Sequence, residues 1–286
     1  MGRGPHALTA RPRLDALLVE RGLAPSRERA RALIIAGTVR VNGATVDKPG
    51  TQLDPSVTIT VDSPDHPYVG RGALKLAHAL DTFHIAVQGR RALDIGASTG
   101  GFTQVLLERG ALIVVALDVG HGQLDWSLRK DARVVVRERL NARTLAAEHL
   151  PETGRPVEIA TIDVSFISLR HILPALPPLL APDADIVALV KPQFEAGRGE
   201  VRKGGIVRDE SVHARVVQEV TATAHALGLT RAGFTESPIT GMEGNREFFI
   251  HLQPFDPSAA SRLPRTQSRD DKLRVAPTDL DGGPDA

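Results

Sequence analysis

The sequence predicts a doubly wound α/β domain with a Rossmann-like parallel sheet, preceded by a smaller α+β module. Three observations carry this. Arg91-Ala-Leu-Asp-Ile-Gly-Ala-Ser-Thr-Gly-Gly-Phe-Thr103 reads as a buried strand, a glycine-rich turn and the start of a helix, the unit that opens a nucleotide-handling sheet. Apolar, β-branched runs then recur downstream between segments of helical spacing. Upstream, two short helical patterns precede an Asn42-Gly43 hairpin turn.

At 286 residues the chain has room for one large domain and one small one, and a hydrophobic content of 42% supplies a sizeable core. It has no cysteine, which excludes a disulfide framework and a thiolate metal site. Its ten histidines are scattered, so no metal centre is expected. No apolar run approaches the ~18 residues needed to span a bilayer, and Met1-Gly-Arg-Gly-Pro-His6 lacks the apolar segment of a signal peptide. The expectation is a soluble cytoplasmic protein. The net charge of +1 hides an asymmetry, because residues 1–50 carry +5 and the remainder −4. A basic amino-terminal segment on a near-neutral body suggests an appended anion binder for nucleic acid, although a solvated helix face is the plainer reading.

Taken in order, residues 11–62 form the small module. A helix over 13–22 presents Leu14, Leu17 and Leu18 on one face and stops at Gly22. Ser26 caps a second helix over 27–36, where Arg27 and Arg31 lie one turn apart. Residues 38–46 are the hairpin, and 58–61 a further strand. Residues 63–67 read as a linker. Residues 68–255 form the large domain, with a helix over 73–80 leading into the glycine turn. Residues 256–286, rich in Pro, Asp, Ser and Gly, read as a disordered tail.

Within the large domain, Asp94 precedes the turn formed by Gly96, Ser98, Gly100 and Gly101. Ser98 stands where a dinucleotide fingerprint wants glycine, and an acid at 94 faces a pyrophosphate badly. It suits a cationic ligand such as the amino group and sulfonium of S-adenosylmethionine; an ordinary strand-to-helix turn is the alternative. The run 111–117 ends in Asp118, placed about 20 residues beyond the turn for ribose hydroxyls, unless it is a helix cap. A third strand, 133–137, carries no acid, and Asn141 after it is a candidate adenine contact. A helix is expected over 144–150. Strands follow at 158–166 and 184–190, then a basic, glycine-rich loop over 193–207 with Arg198, Arg202 and Lys203, a helix over 209–227, and an antiparallel pair at 231–237 and 247–252.

Asp163 and Lys191 each sit at the carboxyl end of an apolar run, the edge where open α/β sheets bind ligands. Either could be a cap or a solvated strand end. Beside a cofactor turn they suit methyl transfer to a hydroxyl, with a lysine as base and a carboxylate to orient it. A lysine of ordinary pKa, about 10.4, is protonated at neutrality, and neighbouring cations and partial burial make it a base.

Several runs identify a family resemblance. Residues 11–62, with Arg27-Glu-Arg-Ala-Arg31 and Gly37-Thr-Val-Arg-Val-Asn-Gly43, resemble the S4 RNA-binding domain. Tyr68-Val-Gly-Arg-Gly-Ala-Leu-Lys-Leu76, Leu93-Asp-Ile-Gly-Ala-Ser-Thr-Gly-Gly-Phe-Thr103, Ile162-Asp-Val-Ser-Phe-Ile-Ser-Leu169, Leu189-Val-Lys-Pro-Gln-Phe-Glu195 and Ser237-Pro-Ile-Thr-Gly-Met-Glu-Gly-Asn-Arg-Glu-Phe248 resemble, in that order, the TlyA (hemolysin A-like) family, an S4 domain joined to an FtsJ-like methyltransferase domain. The resemblance implies a Lys-Asp-Lys-Glu tetrad, carried here by Lys75, Asp163, Lys191 and Glu247, and S-adenosylmethionine-dependent 2′-O-methylation of cytidines in ribosomal RNA. Composition and periodicity alone select neither Lys75 nor Glu247. Arg27, Arg31, Arg198, Arg202 and Lys203 are the candidate RNA contacts. The family's hemolysin label implies a rival, a membrane-active protein, and an inactive RNA-binding assembly factor is a third reading.

Overall fold

The computed structural model describes residues 11–62, 67–151, 155–197, 199–201, 204–241 and 244–255. The expected tail at 256–286 and nearly all of the linker lie outside these. The amino-terminal module has two helices, α1 (Leu14–Glu20) and α2 (Arg27–Ile35), and a three-stranded sheet of β1 (Val39–Val41), β2 (Ala44–Thr45) and β3 (Ile59–Val61), in the order β2-β1-β3. Ser26 Oγ accepts from the Arg29 N–H and fixes the start of α2. The hairpin turn places Asn42 and Gly43 both at positive φ, 50° and 83°, as a two-residue loop between right-twisting strands requires. Leu14, Leu18, Ile34 and Val39 are fully buried together in a small separate core.

The large domain adds α3 (Gly72–Thr82), β4 (Arg91–Ile95), α4 (Gly101–Glu108), β5 (Ile113–Asp118), α5 (Trp126–Arg129), β6 (Val134–Glu138), β7 (Val157–Ile162), β8 (Leu180–Val190), α6 (Pro192–Glu195), α7 (Glu210–Ala226), β9 (Leu229–Glu236) and β10 (Phe248–Pro254). They build a seven-stranded sheet, β6-β5-β4-β7-β8-β10-β9. The strands from β6 to β8 run parallel, while β10 is antiparallel to both β8 and β9. The order reverses between β4 and β7, so the crevice at their carboxyl ends is where such a sheet receives a ligand. Side chains alternate across the sheet: Leu93 and Ile95 join a core with α7, while Ala92 faces α3 and α4 with Leu76 and Phe102.

Four local expectations are corrected. The segment expected as a helix over 144–150 forms two short 3-10 turns, Ala142–Thr144 and Ala147–His149. Leu145 between them is extended, and the break lets both Leu145 and Leu150 turn into the core. The third strand does carry an acid, because its pairing with β5 continues to Asp118 opposite Glu138. Strand β7 ends at Ile162, which leaves Asp163 to Phe166 as loop, and Ser168 caps a 3-10 turn, Leu169–His171. The loop after Lys191 begins with α6, where Pro192 takes the first helical position.

Candidate active site

The site grows from the junction of β4 and β7. Their last pair is Ile95 with Ile162. The chain then holds register for one more step, with the Asp163 N–H donating to Ile95 O at 2.9 Å. Gly96, at φ +88°, passes so close that a Cβ on it would lie 2.3 Å from the Asp163 carbonyl oxygen, which leaves glycine as the residue that fits. Lys191 follows Val190 at the end of β8. Phe248 pairs with Val190, so Glu247, one step earlier in the antiparallel strand, falls beside Lys191. Helix α3 supplies Lys75 from its first turns.

These four side chains form two ion pairs. Lys191 Nζ lies 2.5 Å from Asp163 Oδ1, and Lys75 Nζ donates to Glu247 Oε2 at 2.5 Å. Lys75, Lys191 and Glu247 are buried, Glu247 at 3% exposure. Burial pushes the Asp163 carboxyl up, but the charges of Lys191 and then Lys75 outweigh it and hold it below the usual carboxylate range. Both lysines act on this one carboxylate, so the pairs are one network.

The glycine turn is built differently from its sequence reading. Asp94 lies on the α4 side of β4, fully buried, with one oxygen accepting from Thr103 Oγ1 at 2.7 Å and the other from Thr161 Oγ1 at 3.0 Å. It sits beneath the turn and does not line the cleft. Burial pushes its pKa up to about 7 despite the two hydroxyls. Asp118 accepts from the backbone N–H groups of Ser98 and Gly120, at 2.9 and 2.7 Å, and so ties the turn to the next loop. A Cβ on Gly100 would meet Leu128 and Leu124, and one on Gly101 the backbone of α3 and Gly70. Both glycines allow close packing of the protein on itself, and Gly101 also lines the cleft. Asn141 Oδ1 is engaged as the cap of the turn after it, accepting from the Arg143 N–H, and is absent from the cleft lining.

The cleft joins the four charged residues to Gly96, Ser98, Thr99, Gly70 and Gly72. It adds residues that the sequence reading missed. Ser165 Oγ accepts from Lys191 Nζ at 3.0 Å. Phe166 is 86% exposed at φ +65° and packs its ring 5.1 Å from that of Phe194. The signal for both was the polar and aromatic pair that begins two residues beyond Asp163. Gln193 Oε1 is buried and has no hydrogen-bond partner among the described residues, which is costly unless a donor arrives. An unsatisfied acceptor beside a carboxylate and a glycine-lined wall fits a ligand carrying an amine, as S-adenosylmethionine does.

The amino-terminal arginines also have a structural duty. Asp15 is fully buried, and Arg13, Arg27 and Arg31 all reach it, at 3.0, 3.1 and 3.1 Å. Burial pushes its carboxyl up, yet the three guanidinium groups hold it well below the usual range. Arg27 and Arg31 remain 53% and 40% exposed, so their outer N–H groups face solvent. Arg29 bonds Asp125, the cap of α5, at 2.9 Å. Arg198, Arg202 and Lys203 lie outside the described residues.

The FtsJ-like methyltransferase profile matches residues 68–254, and the S4 domain profile residues 12–59. The chain is 52% identical over 248 residues to the 16S/23S rRNA (cytidine-2′-O)-methyltransferase TlyA of Mycobacterium tuberculosis, covering 86% of this chain and 91% of that one. It is 41% identical to hemolysin A of Brachyspira hyodysenteriae, covering 84% and 99%. A solved structure described as a hemolysin, from Streptococcus thermophilus, superposes with a TM-score of 0.66 at 44% identity, covering 86% and 90%. The chain thus belongs to the FtsJ-like methyltransferases, and among them to the TlyA family that joins this domain to an S4 domain.

Proposed function

We propose that this protein transfers a methyl group from S-adenosylmethionine to the 2′-hydroxyl of cytidines in ribosomal RNA. The observation that carries the reading is the Lys191–Asp163 pair at the carboxyl edge of the sheet, 2.5 Å apart and beside the buried Lys75–Glu247 pair. The TlyA relative's name supplies the nucleotide and the RNA.

When bound, S-adenosylmethionine supplies an electrophilic methyl group on a sulfonium. The chain's own residues do the rest. Lys191, in its neutral form, accepts the ribose 2′-hydroxyl proton, and Asp163 fixes the amine for in-line attack. Lys75 and Glu247 hold the ribose and balance the charge of the network. Gln193 Oε1 and the walls at Gly70, Gly72 and Ser98 receive the cofactor. Phe166, exposed at the rim, offers a ring on which a base taken out of its stack can lie. Arg27 and Arg31 present their outer N–H groups to phosphates, held in place through Asp15.

A membrane-active reading takes its support from the hemolysin name of one relative; among the described residues no helix is long and apolar enough to cross a membrane. The deciding experiment incubates the protein with radiolabelled S-adenosylmethionine and ribosomal subunits from cells lacking it, then maps the 2′-O-methyl positions. Label on a cytidine ribose supports the proposal, and label on a base or on no RNA overturns it.

A further inference from the structure

Lys191 Nζ is held at two points. Asp163 Oδ1 lies at 2.5 Å as an ion pair that lacks hydrogen-bond alignment, and Ser165 Oγ, at 3.0 Å, is the one hydrogen-bond acceptor of this nitrogen among the described residues. The nitrogen is tetrahedral, with one vertex taken by Cε. One N–H directed at Ser165 occupies a second. The other two vertices are then fixed in space, and one of them carries the lone pair when the amine is neutral. Lys191, Asp163 and Ser165 all line the cleft. With the ion pair to Asp163 alone, which directs no N–H, the amine would be free to turn about its Cε–Nζ bond, and its lone pair would sweep a circle.

We propose that Ser165 is a positioning residue for methyl transfer, which fixes the rotation of the Lys191 amine so that its lone pair meets the acceptor hydroxyl. This rests on the assignment of Lys191 as the base. In the step, the hydroxyl proton passes to Lys191 Nζ and the oxygen forms its bond to the methyl carbon. The carbon–sulfur electron pair stays on the departing thioether. Ser165 is itself neither protonated nor deprotonated. The local chain suits this duty: Ser165 stands two residues after Asp163, so one short loop supplies both fixed points. The next residue, Phe166, is held at φ +65° and packed on Phe194 of α6, the helix that follows Lys191.

The test uses the full chain with Ser165→Ala and Ser165→Thr. In single-turnover methylation at saturating ribosomal subunits, Ser165→Ala is expected to lose at least about tenfold in rate, a fraction of the roughly 10²–10⁴-fold that general-base help supplies. Its RNA KM and its affinity for S-adenosylhomocysteine by calorimetry should stay at parental values. Ser165→Thr keeps the hydroxyl and should recover most of the rate. A second readout needs neither cofactor nor RNA. The Lys191 ammonium ¹H–¹⁵N cross-peak should broaden by exchange with water in Ser165→Ala and persist in Ser165→Thr. A raised KM with a parental saturated rate overturns the proposal, and makes Ser165 an RNA contact. An unchanged cross-peak, or equal losses in both variants, also overturns it. Failure of the base assignment looks different, since Lys191→Ala would then methylate at near-parental rate whatever the state of Ser165.

Discussion

Lys75 and Glu247 meet at 2.5 Å although 172 positions separate them in the chain. One comes from the first turns of α3 and the other from the residue before the last strand, so the pair forms only when the whole sheet is assembled. Removing one partner leaves the other as an uncompensated buried charge, at a cost of about 3–5 kcal/mol. Lys75→Met and Glu247→Met should each lower the midpoint of urea unfolding, and the double replacement should regain part of the loss. A double variant that costs the sum of the two singles would show the residues to be uncoupled.

Lys191→Ala should remove most methyl transfer while sparing cofactor affinity, because general-base help alone is worth about 10²–10⁴-fold. Lys191→Arg should not restore it, since a guanidinium stays protonated and has another shape. Single-turnover rates at saturating RNA check this. A near-parental rate for the alanine variant, with a raised KM, would assign Lys191 to phosphate binding instead.

Gly96→Ala is expected to act on the fold before it acts on the ligand. Its Cβ would lie 2.3 Å from the Asp163 carbonyl, a backbone atom that cannot rotate away, and φ of +88° is itself unfavourable for alanine. Calorimetric melting should show a clear drop in Tm in the absence of any ligand. A parental Tm with weakened cofactor binding would restore the simpler view that this glycine makes room for the cofactor.

Asp94 sets a pH dependence whose sign can be worked out. Its folded pKa is raised to about 7 from an ordinary 3.8. Between about pH 4 and about pH 7 the native state therefore keeps a proton that the unfolded chain has released, so this group's contribution to stability falls as pH rises. Above about pH 7 the full cost of ionising a buried carboxyl is present. Asp94→Asn carries no such charge, so its stability relative to the parent should improve across that window and level off above it. A difference that stays flat from pH 4 to pH 8 would mean that Asp94 ionises normally.

Arg27→Gln combined with Arg31→Gln should flatten the dependence of RNA affinity on salt, by a slope of about two if each arginine meets one phosphate. It should also destabilise the S4 module, because the buried Asp15 keeps only Arg13. An unchanged salt slope with the same loss of stability would confine these arginines to the internal cluster.

Much of this was legible in the sequence because it rests on local pattern. The hairpin at Asn42-Gly43, the cap at Ser26, the glycine turn and the strand-end positions of Asp163 and Lys191 all follow from spacing and residue type. What was not legible is where each polar side chain finds its partner. Asp94 and Asp118 look alike as strand-end acids, yet one is sealed by two threonines while the other bonds two loop N–H groups. Asn141 reads as a ligand contact, and the sequence gives no sign that its side-chain oxygen also caps the turn after it. Ser165 carries no periodic signal, and its hydrogen bond comes from a lysine 26 positions away. Lys75 and Glu247 became candidates through family resemblance alone, since a charged residue among apolar neighbours reads equally well as a solvated one.

The contact between Gly96 and the Asp163 carbonyl has a consequence for any attempt to re-engineer the protein. On the proposed function, the turn that would receive the methyl donor and the carboxylate beside the Lys191 amine are fastened back to back through neighbouring main-chain contacts, the close approach of Gly96 to the Asp163 carbonyl and the Asp163 N–H bond to Ile95 O. A remodelled donor pocket that widens the turn will drag Asp163 with it, and with Asp163 the aim of Lys191. Donor preference and catalytic alignment are in this sense one inherited trait, so selection for a bulkier donor will have to find its room at the Gly70–Gly72 wall on the other side of the cleft.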